Sequence, residues 1–379
     1  MKFLVMSLIG TSGDAAGGRS TSPRQRFREV VETAEFTEQL GLDAFGVGER
    51  HSPEFLSSAP TVVLAHLAAR TSSIRLFTTV TVLSLLDPVR VAEDYATLDH
   101  LSDGRFEMII GKGNDAHQSE LFGFELADQW DRNRENYELL HRLWREEGVD
   151  WSGRYRPDLR GATTYPRPLD GPLRVWHGSA SSRESTELAA RFGEPLFSAN
   201  AFHPQARYAD LIAHYRQRFA EHGHDPARAL VGAGSGGVHL ARTSQEALER
   251  FRPLWEGYMA TPAAAHNRSP FTSLEDAVER GPNLVGSPEQ VVDKIGNYHG
   301  AFGHELLAIG VDGQGLPVAE QRATLELFAT EVAPVVRRDF PSRAWADFPR
   351  PAGGTVRVLA EHGHEHEETD LVGAAALPG

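Results

Sequence analysis

IRLFTTVTVLSLLDPVRVAEDYATLDHLSDGRFEMII, from Ile74 to Ile110, reads as strand, helix, strand: an apolar run at Ile74 to Val82, a helical pattern at Val89 to Leu101, and a second apolar run at Phe106 to Ile110. Runs this apolar are strands buried on both faces, as in a parallel sheet covered by helices. The same alternation fills most of the chain. Further apolar runs at Phe3 to Leu8, Ala44 to Gly48, Leu173 to Trp176, Pro195 to Ser198, Gly236 to Leu240 and Glu305 to Gly310 bring the total to eight. Helical patterns follow at Arg24 to Leu40, Thr61 to Arg70, Gln129 to Glu147, Arg183 to Arg191, Pro204 to His222, Ser244 to Met259 and Val318 to Arg337.

Eight strands, each followed by a helix, in 379 residues predict an α/β fold of the closed (β/α)8 TIM-barrel type. The competing open, doubly wound sheet usually has fewer strands and a nucleotide-binding glycine turn after the first one. Here that turn is GTSGDAAGGRS, Gly10 to Ser20, which lacks the close glycine spacing and the immediate helix of such a fingerprint. It reads as a rim loop. Trp151 to Pro172 reads as a hairpin or rim insertion, and Thr261 to Ser287, punctuated by Pro and Gly, as a lid. The barrel is expected over residues 1–340. A carboxyl-terminal extension at 341–379 includes EHGHEHEETD and has the composition of a disordered tail. His362, His364 and His366 could take a metal there, but their spacing suits an extended chain with no pre-formed cage.

Composition removes whole classes of function. The chain has no cysteine, which excludes disulfide scaffolds, thiolate metal sites and cysteine nucleophiles. A net charge of −14 opposes binding to nucleic acid and to acidic membranes. No apolar run approaches the roughly 20 residues of a membrane span. The segment MKFLVMSLIG reads as a first core strand rather than a signal peptide, so the cytoplasm is the expected compartment.

In a parallel barrel the chemistry gathers where the strands end at their carboxyl termini. The second strand ends in Glu49, Arg50 and His51, the fourth in Lys112, Asn114 and Asp115 with His117 following, the fifth in His177, and the sixth in Ser198. PLRVWHGSASSRE, Pro172 to Glu184, runs from the fifth strand through Ser179, Ala180, Ser181 and Ser182 into a helix. Small hydroxyl residues beside unpaired helix N–H groups can hold a phosphate, and equally one of these serines can cap the helix. Lys112 stands out because the chain has three lysines against 35 arginines, and this one lies between two glycines. A point charge there suits a phosphate. Glu49, Arg50 and His51 could also be an ion-paired cluster that braces the rim.

GERHSPEF (Gly48 to Phe55), TTVTVLSLLDPVRVAEDYATLDHLSDGRFEMIIGKGN (Thr78 to Asn114), HGSASSRE (His177 to Glu184) and VGSPEQVVDKI (Val285 to Ile295) together resemble the bacterial luciferase-like, flavin-dependent monooxygenases. The resemblance extends over roughly Met1 to Arg338. It implies a (β/α)8 barrel with reduced FMN at the carboxyl-end face. It places Lys112, Ser179 and Ser182 at the flavin phosphate, with Lys112 where an arginine is usual. Asn114 and Ser198 fall beside the flavin, and Thr79 and Val80 where the family has a cis peptide under the ring. His177, Ala180 and Ser181 belong to the same cofactor-binding turn. Luciferase itself has two histidines after the strand-end glutamate. Here Arg50 replaces the first, and only His51 matches the second. Arginine holds an anionic oxygen but does not shuttle protons, so Glu49 and His51 become the expected titrating groups, with His117 and His177 behind them. The implied function is oxygenation of a small organic substrate by reduced FMN and dioxygen, with a separate reductase supplying the flavin and the protein acting as a homodimer. A deazaflavin-dependent hydride-transfer oxidoreductase is the alternative from the same family. A barrel that binds flavin without turnover is a third reading.

Overall fold

The computed structural model describes residues 1–11, 21–113, 115–180, 182–261, 264, 269–310 and 315–346. Asn114, Ser181 and the histidine-rich tail therefore lie outside the described residues, as does most of the first glycine-rich loop. Strands β1 (Lys2–Ser7), β2 (Ala44–Val47), β3 (Arg75–Val82), β4 (Phe106–Gly111), β7 (Val175–Ser179), β8 (Leu196–Ser198), β9 (Val231–Ala233) and β12 (Leu306–Gly310) close into one barrel in that order. Every neighbouring pair is parallel. Helices α1 (Pro23–Gln39), α2 (Pro60–Arg70), α3 (Pro88–Leu101), α5 (Gln129–Arg145), α6 (Arg183–Phe192), α7 (Gln205–Glu221), α10 (Pro288–Phe302) and α11 (Val318–Leu327) alternate with them. A short α4 (Ala116–Phe122) sits between β4 and α5.

Local chemistry starts these helices where the strands end. Asp87 Oδ1 accepts the Val89 N–H at 2.8 Å and Pro88 opens α3, so the chain turns directly from β3 into the helix. The barrel interior is a packed core of Leu4, Ala44, Phe77, Ile109, Trp176, Phe197, Leu306 and Ala308. At its amino-terminal end Arg75 Nη1 donates to Glu107 Oε1 at 3.1 Å, and Trp176 Nε1 donates to Glu107 Oε2 at 2.8 Å. The chain beyond α12 (Ala333–Asp339) then closes this end. Ala344 is buried against the core, and the Trp345 ring lies under the Arg75 guanidinium at 5.1 Å.

The seventh strand is not the expected one. Val231–Ala233 pairs with β8 and β12 inside the barrel. The run at Gly236 to Leu240 supplies β10 (Val238–Leu240), which pairs with β11 (Leu284–Gly286) in a separate two-stranded sheet. A three-residue strand of Val, Gly and Ala carries little apolar signal, and the more apolar run seven residues later draws the assignment. The helix α8 (Ser244–Met259) packs on this small sheet with α9 (Leu274–Glu279), around a core of Ala241, Ala247, Phe251, Leu274 and Val285. The supposed lid is therefore in part a built subdomain, and the helix that leads into β12 is α10, which the periodicity reading left out.

The Trp151 to Pro172 insertion contains a hairpin, β5 (Val149–Trp151) against β6 (Leu159–Ala162), in antiparallel pairing. Its tip climbs the outside of α5. Arg156 Nε donates to Asp87 Oδ2 at 3.3 Å and the Tyr155 hydroxyl to Asp128 Oδ1 at 3.3 Å, which brings the tip to the starts of α3 and α5. Among the described residues no helix is long and apolar enough to cross a membrane.

Candidate active site

Glu49 fastens two strand ends at the carboxyl-terminal face. Its side chain follows β2 and is buried, and its Oε2 accepts the Val82 N–H from β3 at 2.7 Å. Its Oε1 lies 3.0 Å from His51 Nε2. A carboxylate oxygen that accepts in this pair places a proton of His51 on Nε2. The edge of Phe122 from α4 meets the same ring, with centroids 4.7 Å apart. Arg50 lays its guanidinium over Phe55 at 5.6 Å. Burial pulls its pKa below the usual arginine value, and the Asp115 carboxylate pushes it back up. His117, one turn further on, is exposed.

The Thr79–Val80 peptide is cis. The β3–β4 register shifts at this step, from Thr79 opposite Ile109 to Thr81 opposite Ile110. A Cβ on Gly111 would lie 3.0 Å from Val80 Cγ2, and one on Gly178 would lie 2.8 Å from the Ile110 carbonyl oxygen. Glycine at these two strand ends gives Val80 its place between β4 and β7. The Thr79 hydroxyl is buried and has no hydrogen-bond partner.

At the end of β4, Lys112 Nζ donates to the Gly113 carbonyl at 2.9 Å and to Gln129 Oε1 at 3.3 Å, and sits 5.5 Å from the Trp130 ring. Burial lowers its pKa from the usual lysine value. Two side chains complete this corner, Gln118 just after the fourth strand end and Gln129, which the sequence reading passed over. Both amide atoms of Gln118 and the Nε2 of Gln129 are buried without hydrogen-bond partners, as are Ser119 Oγ and Asn133 Oδ1. A Cβ on Gly113 would meet Gln118 Oε1 at 3.0 Å and Gln129 Nε2 at 3.8 Å, so the two amides flank that residue.

Ser179 and Ser182 have their hydroxyls engaged within the protein. Ser182 is the N-cap of α6: its Oγ accepts the Ser185 N–H at 3.3 Å and donates to Glu184 Oε2 at 2.8 Å. Ser179 Oγ donates to the Ser182 carbonyl at 2.9 Å, and Ala180 is exposed. The turn and the Lys112 corner meet through Trp130, which lines a surface groove of about 520 Å3 together with Arg183, Glu184 and His214.

The His177 side chain is removed from this face. Trp176 points into the barrel core, so the alternation along β7 turns His177 outward, where Nε2 lies 2.8 Å from Glu194 Oε2 and the ring meets Tyr137 at 4.6 Å. Tyr137 donates to the same carboxylate oxygen. This buried triad braces β7 against α5 and α6, and only the His177 backbone remains near the site. At the end of β8 the Ser198 hydroxyl is buried without a partner, and so are both amide atoms of Asn200. Burial, which sequence does not reveal, is what singles out Asn200, Gln118 and Gln129.

The luciferase-like monooxygenase family model matches residues 1–305. The chain is 30% identical over 328 residues to 4-hydroxyprotoasukamycin monooxygenase of Streptomyces nodosus subsp. asukaensis, covering 80% of this chain and 85% of the relative. It is 26% identical to the F420-dependent glucose-6-phosphate dehydrogenase of Kribbella flavida, over 82% of this chain and 95% of that one. The crystal structure of monooxygenase RslO1 from Streptomyces bottropensis superposes with a TM-score of 0.76 at 26% identity, covering 88% of this chain and 99% of the other. With its closed barrel, its cis Thr79–Val80 peptide and a family match over most of its length, the chain belongs to the luciferase-like monooxygenase family of oxidoreductases.

Proposed function

We propose that the protein is the oxygenase of a two-component system: a cytoplasmic homodimer that takes reduced FMN from a separate reductase and uses it with dioxygen to oxygenate a small organic substrate. The observation that carries this reading is the set of buried polar atoms without partners at and just after the strand ends, Thr79 Oγ1, Ser198 Oγ, the Asn200 amide and the Gln118 amide, together with the Lys112 ammonium at the end of β4. An unpaired buried polar group costs about 1–3 kcal/mol, so such a concentration fits a site built to meet a polar ligand. Hydroxyls and amides match the edge of a flavin, and the lysine matches its phosphate.

Reduced FMN supplies the electrons that activate dioxygen, and the protein supplies binding, orientation and proton handling. His51 Nδ1 is placed to take or give a proton, with the Nε2 side fixed by Glu49. Arg50 keeps a fixed positive charge next to it for an anionic oxygen. The resemblance to an F420-dependent dehydrogenase favours one second reading, hydride transfer with a deazaflavin in the same pocket.

Titration of the purified protein with FMN and with the deazaflavin, followed by anaerobic loading with reduced FMN and mixing with dioxygen, separates the two. Tight FMN binding, with oxidation kinetics distinct from those of free reduced FMN, is expected. Binding of the deazaflavin alone overturns the oxygenase reading.

A further inference from the structure

We propose that Gln129 is a positioning residue that gives this site its preference for a phosphorylated flavin, by holding the Lys112 ammonium and offering its own amide N–H to the phosphate. The proposal rests on the flavin reading above and adds to it what selects the phosphate.

Two corners of the site flank the expected phosphate position, and their contacts differ. At the serine turn the Ser182 hydroxyl donates to the Glu184 carboxylate, and the N–H of Ser185 is taken by the cap. Among the described residues those two groups are already engaged there. At the end of β4 the charge is positive, and the Gln129 and Gln118 amide N–H donors have no partner. Among the described residues Lys112 pairs with no carboxylate, only with the Gly113 carbonyl and Gln129 Oε1. Gln129 is 4% exposed, its Oε1 engages Lys112, and its Nε2 has no partner. The neighbouring Gln118 amide, 1% exposed, is free at both atoms.

Gln129 is also the first residue of the 17-residue helix α5, so its backbone is held by the helix. A lysine is a flexible point charge, unlike the planar fork of an arginine. Without a neighbour that fixes Nζ, it binds a phosphate less selectively. Gln129 is that neighbour, and the Trp130 ring restricts the ammonium from another side.

The test is the ratio of the affinities for FMN and riboflavin, which differ only in the phosphate, measured by fluorescence titration of wild type, Gln129→Met, Gln129→Glu and Lys112→Met, with circular dichroism to confirm folding. Gln129→Met removes both the hold on Lys112 and the free amide. Gln129→Glu keeps a partner for Lys112 but sets an anion against the phosphate. Wild type is expected to prefer FMN, and the preference is expected to fall about tenfold in Gln129→Met and further in Gln129→Glu, with riboflavin affinity held within about twofold. An unchanged ratio in both Gln129 variants overturns the proposal. So does a parallel loss of FMN and riboflavin affinity, because that is the signature of a merely structural role. If wild type binds neither flavin, the FMN reading fails by itself. The same ratio is then read on the deazaflavin cofactor against its phosphate-free chromophore, with the same outcomes deciding.

Discussion

Glu49 and His51, two residues apart in sequence, face each other at 3.0 Å across a turn that the second Glu49 oxygen fixes by accepting the Val82 N–H. One buried carboxylate thus sets both the junction of β2 with β3 and the proton position on the imidazole. Bracing and the proposed proton handling are compatible here, because one side chain does the first and also holds His51.

Glu49→Gln separates the two roles. A glutamine can still accept from Val82 with its oxygen, but its amide N–H then points at His51 Nε2 and drives the proton to Nδ1. The fold is expected to persist with a melting temperature close to that of wild type, while turnover falls about 100-fold, the scale of a misdirected general acid or base. Turnover within twofold of wild type would show that the tautomer does not matter.

His51→Ala is expected to leave flavin affinity nearly intact, lower turnover by about 100-fold and remove one limb of the pH–rate profile. Arg50→His is expected not to restore luciferase behaviour, because the fixed cation over Phe55 is lost. Stopped-flow kinetics across pH measure both. An unchanged pH profile in His51→Ala leaves only the bracing role.

Lys112→Ala removes the ammonium from the end of β4. Charge-assisted contacts to phosphate are worth roughly 1.5–3 kcal/mol, so FMN affinity is expected to fall about tenfold or more. Equal FMN affinity in mutant and wild type sinks the assignment.

The long elements were legible because their periodicity is strong. β3, α3 and β4 fall within a residue or two of the expected bounds. Val231–Ala233 was not, because a three-residue strand of small residues is set by its partners Leu196 to Ser198 and Leu306 to Leu307 rather than by its own pattern. The missed α10 did carry a local signal: Ser287 caps it by accepting the Gln290 N–H, and Pro288 opens it. The strand-end residues of the site were legible from topology alone, since a barrel fixes where strand ends must gather. Whether a side chain at a strand end turns inward, as Trp176 does, or outward, as His177 does, depends on the strand's phase, which sequence left open.

Asn283 tests the subdomain that includes part of the expected lid. Its Oδ1 accepts the Gly237 N–H at 2.6 Å and its Nδ2 donates to the Ala277 carbonyl at 3.3 Å, so it joins β10 to the end of α9. Asn283→Ala leaves a buried N–H unpaired and is expected to cost about 1–3 kcal/mol. Hydrogen exchange should show the loss of protection concentrated in β10 and β11, with the barrel strands unaffected. Uniform loss across the barrel would mean that the insertion and barrel form one cooperative unit.

His304 sets a pH dependence of stability away from the active face. It is fully buried just before β12, neither ring nitrogen has a partner, and burial pushes its pKa down to about 3, with nearby His299 adding to the effect. Because the folded value lies below the unfolded value of about 6.5, the unfolded chain binds the proton first, so stability is complete above about pH 6.5 and is lost as pH falls toward 3. At 1.36 kcal/mol per pH unit for one group, the chain should be about 2 kcal/mol less stable at pH 5 than at pH 7 from this residue alone. His304→Met, of similar volume and without a titrating group, should change stability at pH 7 by less than about 1.5 kcal/mol and flatten the slope between pH 7 and 5. Urea unfolding at the two pH values measures this, and an equal slope in wild type and mutant would place the acid sensitivity elsewhere.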